Sequence, residues 1–183
     1  KKLSQAEWDE IYSSLSDENT LPMLNVGAKA GEVSLCWHAD KDEAQAKVRI
    51  SKNYSMSGAK TFIGETTEAE NDEQVVCRVD ITGLEENTEY YYQWYTSRGW
   101  SKKCEYETKS FGDHKAMVIG DIQIGGQTED SAVQSMNGYT WNNVLSEALS
   151  KNPDISYLVS PGDNTSTGKT ADEWQTLLMP PAV

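Results

Sequence analysis

Several things are missing from this chain. No apolar run is long enough to span a bilayer, and no signal peptide is in view. There is no CxxC pair among the three cysteines, Cys36, Cys77 and Cys104, which speaks against a zinc site. Their odd number leaves at least one thiol unpaired within the chain, so redox compartment and pairing stay open. Each falls in an expected strand, where cysteine is most often a small buried apolar residue. Basic charge is also scarce: the net charge of −13 argues against a nucleic-acid-binding surface and against adhesion to anionic lipid. That acidity suits cation binding, and a solvated acidic surface accounts for it as well. The sequence opens at Lys1 without an initiator methionine and reads as a processed or trimmed piece.

What is present is organised around Lys115–Gly126, KAMVIGDIQIGG. Met117, Val118 and Ile119 form an apolar run that reads as a buried strand of a parallel sheet. Gly120, Gly125 and Gly126 let the following loop bend sharply and approach a ligand. Ile155–Asp163, ISYLVSPGD, repeats the pattern, with Gly162-Asp163 after a second run. Open α/β sheets bind ligands at the carboxyl ends of their strands, so Asp121, Gln123 and Asp163 would meet at one sheet edge.

The rest of the chain falls around these two loops. Ser4 and Glu7 have capping-box spacing, Leu3 can staple onto Trp8, and Trp8, Ile11, Tyr12 and Leu15 recur at helical spacing. The helix over residues 1–20 ends in the polar Asp17–Thr20 and carries no expected chemistry. From Leu21 to about Ser110 the apolar period becomes two, with turn-like segments at Asp40–Glu43, Asn53–Gly58, Glu65–Glu73 and Glu85–Thr88. Short strands at such intervals predict an antiparallel β-sandwich of about seven strands. Ser110–His114 reads as a linker.

From residue 115 to 183 the pattern is strand, loop, helix, strand, loop, helix. Asp121–Tyr139 is expected to be a long functional connection, with Thr140 capping the first of these helices. Trp141, Val144, Leu145, Ala148 and Leu149 share one face, and Asn152-Pro153-Asp154 stops the helix. A second helix begins near Ala171 with Trp174, Leu177 and Leu178 on one side, and Pro180-Pro181 is expected to end it. The fold class is therefore mixed: a sandwich followed by a βαβα segment, whose two-stranded sheet is thin by itself.

Two chemical readings compete for the Gly-Asp loops. Two cations about 3.5–4 Å apart can bind a phosphate and activate a water, provided one carboxylate bridges them and others hold each singly. Asp121, Asp163 and the amide oxygen of Gln123 supply hard donors suited to manganese, magnesium or iron. Alternatively, Gly-Asp after a strand is a turn signal, the aspartate capping local amides. A dinucleotide loop fits poorly, because the glycines lack GxGxxG spacing and Asp121 would repel a pyrophosphate.

Family likeness extends the first reading. Ile81–Tyr95, ITGLEENTEYYYQWY, resembles the corner of fibronectin type III domains, with Leu84 and Tyr90 in the leucine and tyrosine positions and Trp37 as the core tryptophan. In such a corner the tyrosine bonds back to the backbone; Glu86 stands where proline is common. Tyr91, Tyr95 and Trp100 then serve either packing or an exposed aromatic patch. GDIQIGG at 120–126 and SPGDNTSTG at 160–168 resemble the first two motifs of calcineurin-like metallophosphoesterases. With a fibronectin-like domain in front, the chain is most similar to the purple-acid-phosphatase-like branch.

The resemblance implies that Asp121 binds one metal, that Asp163 bridges two, and that Gly120 and Gly162 shape the loops. It implies two divalent or trivalent ions (Mn, Fe, Zn or Mg) and a phosphate mono- or diester substrate attacked by a metal-bound hydroxide. Gln123 stands where that family most often has histidine, which should alter metal preference. Ser166 replaces the tyrosine that gives purple acid phosphatases their colour, so no purple band is expected. The later histidine motifs are absent, and His38 and His114 match none of them. The chain is therefore expected to be the N-terminal portion of a longer phosphoesterase, inactive alone and lacking the C-terminal half of its catalytic domain. The resemblance also implies a secreted or cell-envelope protein. The alternative is a non-enzymatic extracellular module that binds a glycan or protein through the sandwich.

Overall fold

The computed structural model describes residues 2–15, 21–42, 44–69, 73–125, 130–168 and 170–182. The expected Asp17–Thr20 stop and Gly126 fall outside these, as does the side chain of Leu15. The chain divides into two compact units, Pro22–His114 and a second that joins Lys1–Leu21 to Lys115–Val183.

The first unit is a β-sandwich. One sheet has the order β1 (Met23–Val26), β2 (Val33–Asp40), β6 (Gln74–Ile81), β5 (Glu65–Glu68), all antiparallel. The other has the order β4 (Lys60–Ile63), β3 (Lys47–Ser51), β7 (Glu89–Thr96), β8 (Gly99–Trp100), with β9 (Cys104–Glu107) also paired to β7. Alternate residues of β2, β3, β6 and β7 fill the core: Leu35 and Trp37, Val48 and Ile50, Cys77 and Val79, Tyr92 and Trp94. This period-two burial follows from strand geometry, which sends successive side chains to opposite faces. The backbone bond expected of Tyr90 is present: its hydroxyl accepts from the Glu85 N–H at 2.9 Å, beside the buried Leu84.

Nine strands are present among the described residues of this unit, two more than periodicity suggests. The added ones are short or lack an apolar pattern. Glu65–Glu68, expected within a turn, is the edge strand β5; all four side chains are exposed, so only its backbone pairing with β6 marks it. Tyr91 and Tyr95 lie on the face of β7 opposite the core. They pack edge-to-face on Tyr54 and Trp100 at 5.3 and 5.2 Å between ring centroids. All three cysteines are free thiols, Cys77 fully buried and the others half-buried.

In the second unit, α1 (Gln5–Leu15) starts with the anticipated capping box. The Ser4 N–H donates to Glu7 at 2.8 Å, and the Glu7 N–H donates to the Ser4 hydroxyl at 3.3 Å. Trp8 is completely buried and donates its indole N–H to the Ser135 carbonyl at 2.9 Å. Ser135 belongs to α2 (Ser131–Lys151), which packs on α3 (Ala171–Ala182). β10 (Lys115–Val118) and β11 (Ile155–Val159) form a parallel pair.

Four expectations fail in this unit. First, α2 begins at Ser131, capped by the Asp130 carboxylate accepting from the Ala132 N–H at 2.9 Å. Residues 131–140 are therefore helix, not connection, and Thr140 sits mid-helix donating to the Met136 carbonyl. Its polar, weakly helix-forming first half is held by packing, which overrides propensity. Second, the β10–β11 pair is not deeply buried: Val118 is 66% exposed, and Leu158 and Val159 are also exposed. A two-stranded sheet covered by few elements cannot enclose both faces. Third, Trp141 and Leu145 carry the buried face of α2, whereas Val144 and Leu149 are exposed.

Fourth, α3 continues through Pro180-Pro181 to Ala182. Pro181 has no N–H for the carbonyl of Leu177 four residues earlier. The Trp141 indole N–H fills that place, donating to the Leu177 carbonyl at 3.1 Å in a buried setting.

Candidate metal centre

Parallel pairing puts the carboxyl ends of β10 and β11 side by side, and the two Gly-Asp loops leave from there. The ladder does not stop at the strand ends. The Ile119 N–H donates to the Val159 carbonyl at 3.0 Å and the Asp121 N–H to the Gly162 carbonyl at 3.4 Å. The Gln123 N–H then donates to the Asp163 carbonyl at 2.9 Å, and the Ile124 N–H to that of Asn164 at 3.1 Å. In return the Ser166 N–H donates to the Ile124 carbonyl at 2.8 Å, and Ile124 and Thr165 form a parallel bridge. Ile124 is buried with Trp141, Leu145 and Leu177, which anchors this zipped segment to the helices.

Asp121, Gln123 and Asp163 are all exposed, and all three have left-handed backbone, with φ of 57°, 48° and 52°. Only two other non-glycine residues among those described do so, Met56 and Asn87, both in the sandwich. Left-handed backbone costs a residue such as glutamine about 1–2 kcal/mol and aspartate less, because its short side chain can bond locally; such backbone clusters at functional sites. Gly162, at φ 143°, makes the turn into Asp163 where a side chain would be strained. A Cβ at Gly120 would meet the Pro161 ring at 3.4 Å, an ordinary van der Waals contact, so the space here does not demand glycine. The Gln123 side-chain amide donates to an Asp121 carboxylate oxygen at 3.1 Å, so these two side chains already converge.

Two carboxylates and an amide oxygen on linked loops fit one side of a hard-cation site. Among the described residues, no three His, Cys, Asp or Glu side chains gather closely enough to hold a metal ion. Both histidines belong to the sandwich unit and are exposed: His38 on β2 and His114 at its end. Two supporting residues escape sequence reading. Asn137 of α2 accepts from the Gly125 N–H at 3.1 Å, and the buried Glu173 of α3 binds the second loop. Thr170 and Glu173 have capping-box spacing, the one sequence signal that this carboxylate orders backbone.

Residues 21–108 match the family model described as purple acid phosphatase, N-terminal domain. The match falls on the sandwich unit, which is similar to the N-terminal domain of purple acid phosphatases. A solved structure of purple acid phosphatase PPD1, isolated from yellow lupin (Lupinus luteus) seeds, is similar at a TM-score of 0.65 and 16% identity. The similarity covers 88% of this chain and 33% of that one, so this chain spans a third of that protein's length. At that identity the likeness is one of fold. No curated protein matches the chain.

Proposed function

We propose that this chain is the N-terminal portion of a metal-dependent phosphoesterase of the calcineurin-like, purple-acid-phosphatase-like type, hydrolysing phosphate mono- or diesters. The observation that carries this reading is the backbone of Asp121, Gln123 and Asp163. Three oxygen-bearing residues adopt strained left-handed conformations at the ends of two parallel strands, on loops bonded to each other. A turn aspartate also tolerates left-handed backbone; a simple turn does not call for three such residues, one of them glutamine, on two loops bonded to each other. The purple acid phosphatase match of the sandwich supports the same assignment.

Asp121 and Gln123 would hold one ion from the first loop, and Asp163 would reach it from the second. When bound, the metal would supply charge to the phosphate and lower the pKa of a water. Further ligands would come from the rest of the parent protein, so the piece alone is an incomplete site. Gly120 and Gly162 keep the entrance free of side chains. The fibronectin type III-like sandwich and the secreted or envelope location belong to the same proposal.

Manganese calorimetry on the 183-residue chain and on Asp121→Ala, Gln123→Ala and Asp163→Ala tests the assignment. Binding that weakens in all three variants supports it; a heat unchanged by all three overturns it.

A second reading, a non-enzymatic glycan- or protein-binding sandwich, is favoured by the outward rings of β7. Tyr54 is 62% exposed and lies under the Lys103 ammonium at 3.8 Å, and the Arg49 guanidinium stacks on Trp100 at 4.5 Å. Binding of a glycan array or a protein that is lost in Tyr54→Ala, with no response to manganese, would favour it.

A further inference from the structure

Glu173 is a carboxylate at the start of α3 that is 1% exposed and has no basic partner among the described residues. Burying a charge without a counter-ion is costly unless its oxygens are hydrogen-bonded. Here one oxygen, Oε2, accepts from the Thr167 N–H at 3.1 Å, the Thr167 hydroxyl at 2.9 Å and the Gly168 N–H at 3.3 Å. The other oxygen faces the first Gly-Asp loop. A Cβ on Gly125 would lie 2.2 Å from Oε1, and Gly125 has φ 107°, so only glycine fits against it.

One buried side chain therefore touches both loops. Through Thr167 it fixes the segment whose Ser166 N–H binds the Ile124 carbonyl, next to Gln123. At Gly125 it limits how closely the first loop can settle onto α3. The Gly125 N–H, held by Asn137, locks the same point from α2. No packing need requires a carboxylate here, since an apolar side chain would fill the space at less desolvation cost. It would not hold three donors of the second loop.

We infer that Glu173 is a positioning residue, setting the spacing of the loops that carry Asp121, Gln123 and Asp163; as a statement about a metal centre, this rests on the phosphoesterase reading above. Outer residues of this kind commonly change metal affinity by about 10- to 100-fold when altered.

The test uses Glu173→Gln in the 183-residue chain, with amide hydrogen exchange and manganese calorimetry as separate readouts. The amide keeps the volume and one oxygen for the Thr167 and Gly168 donors, but it removes the charge and sets an NH2 against Gly125, so exchange should quicken in both loops, at 121–125 and at 163–168. Manganese binding should weaken by about tenfold. Thr167→Val, which removes a single donor, should show a smaller change in the same direction and serves if Glu173→Gln does not fold. Gly138→Ala, which disturbs the same unit without touching either loop, should leave manganese affinity unchanged. Faster exchange confined to 166–168 overturns the coupling of the two loops. Unchanged manganese affinity in Glu173→Gln overturns the positioning role. If the native chain binds no manganese, the metal claim for Glu173 fails in this chain, while the phosphoesterase reading of the parent stands, because its further ligands lie outside the chain. The exchange pattern then decides alone whether Glu173 couples the loops.

Discussion

The Trp8 indole of α1 rests directly on Gly138 of α2: a Cβ at position 138 would lie 2.5 Å from Trp8 Cζ2 and 2.8 Å from Thr176. The N-terminal helix is thus set into α2 and α3 by a knob that needs a glycine opposite it. Gly138→Ala should destabilise this unit although alanine is the better helix former. The propensity gain is about 1 kcal/mol, and overpacking a filled contact costs about 1–3 kcal/mol. The net loss expected is about 1 kcal/mol, read as a lower urea midpoint in tryptophan fluorescence. A raised midpoint would mean that the indole moves aside freely.

The same contact explains part of what sequence does and does not reveal. α1 is legible because its signals are local: the Ser4–Glu7 box and the helical spacing of Trp8, Ile11 and Tyr12. The first half of α2 is not, because Ser131–Thr140 is polar and contains Gly138, which reads as a loop until Trp8 occupies it. β5 is hidden for a related reason: Glu65-Thr66-Thr67-Glu68 buries nothing and pairs only through its backbone. At the candidate site the residue types and their meeting at adjacent strand ends follow from the repeated Gly-Asp grammar. The left-handed backbone and the role of Glu173 depend on tertiary bonds that no spacing encodes.

Tyr90 and Glu85 give a second measurable contact. The Tyr90 hydroxyl accepts the Glu85 N–H at 2.9 Å, with the ring buried in the sandwich core. Tyr90→Phe keeps the ring and leaves that donor unpaired. A cost of about 1–3 kcal/mol to the sandwich is expected. Amide exchange should show it at residues 85–90, and α2 amides should be unaffected.

Alkaline pH should weaken the sandwich through Cys77. Its thiol lies fully buried in the sandwich core on β6, and burial pushes its pKa up to about 11. In the unfolded chain a thiol ionises near pH 8.5, so the unfolded state loses its proton first. Stability is then full below about pH 8.5 and declines as pH rises towards 11. Burial raises the pKa of Cys104 and of the Tyr92 hydroxyl as well, which acts in the same sense. Urea midpoints at pH 8, 9.5 and 10.5 should fall in the native chain and fall less in Cys77→Val. Equal slopes in the two proteins would remove Cys77 as the source.

The Trp141–Leu177 bond predicts a coupling that depends on proline. Trp141 donates to a carbonyl that Pro181 cannot serve, so Trp141→Phe leaves a buried acceptor without a donor. That substitution should cost about 1–3 kcal/mol. In a Pro181→Ala background the restored N–H can reach the same carbonyl, and the cost of Trp141→Phe should shrink by about 1 kcal/mol. Four urea titrations, on the native chain, each single variant and the double variant, give the coupling. Additive losses would show that the carbonyl finds water instead, and that the indole serves the fold through its packing alone.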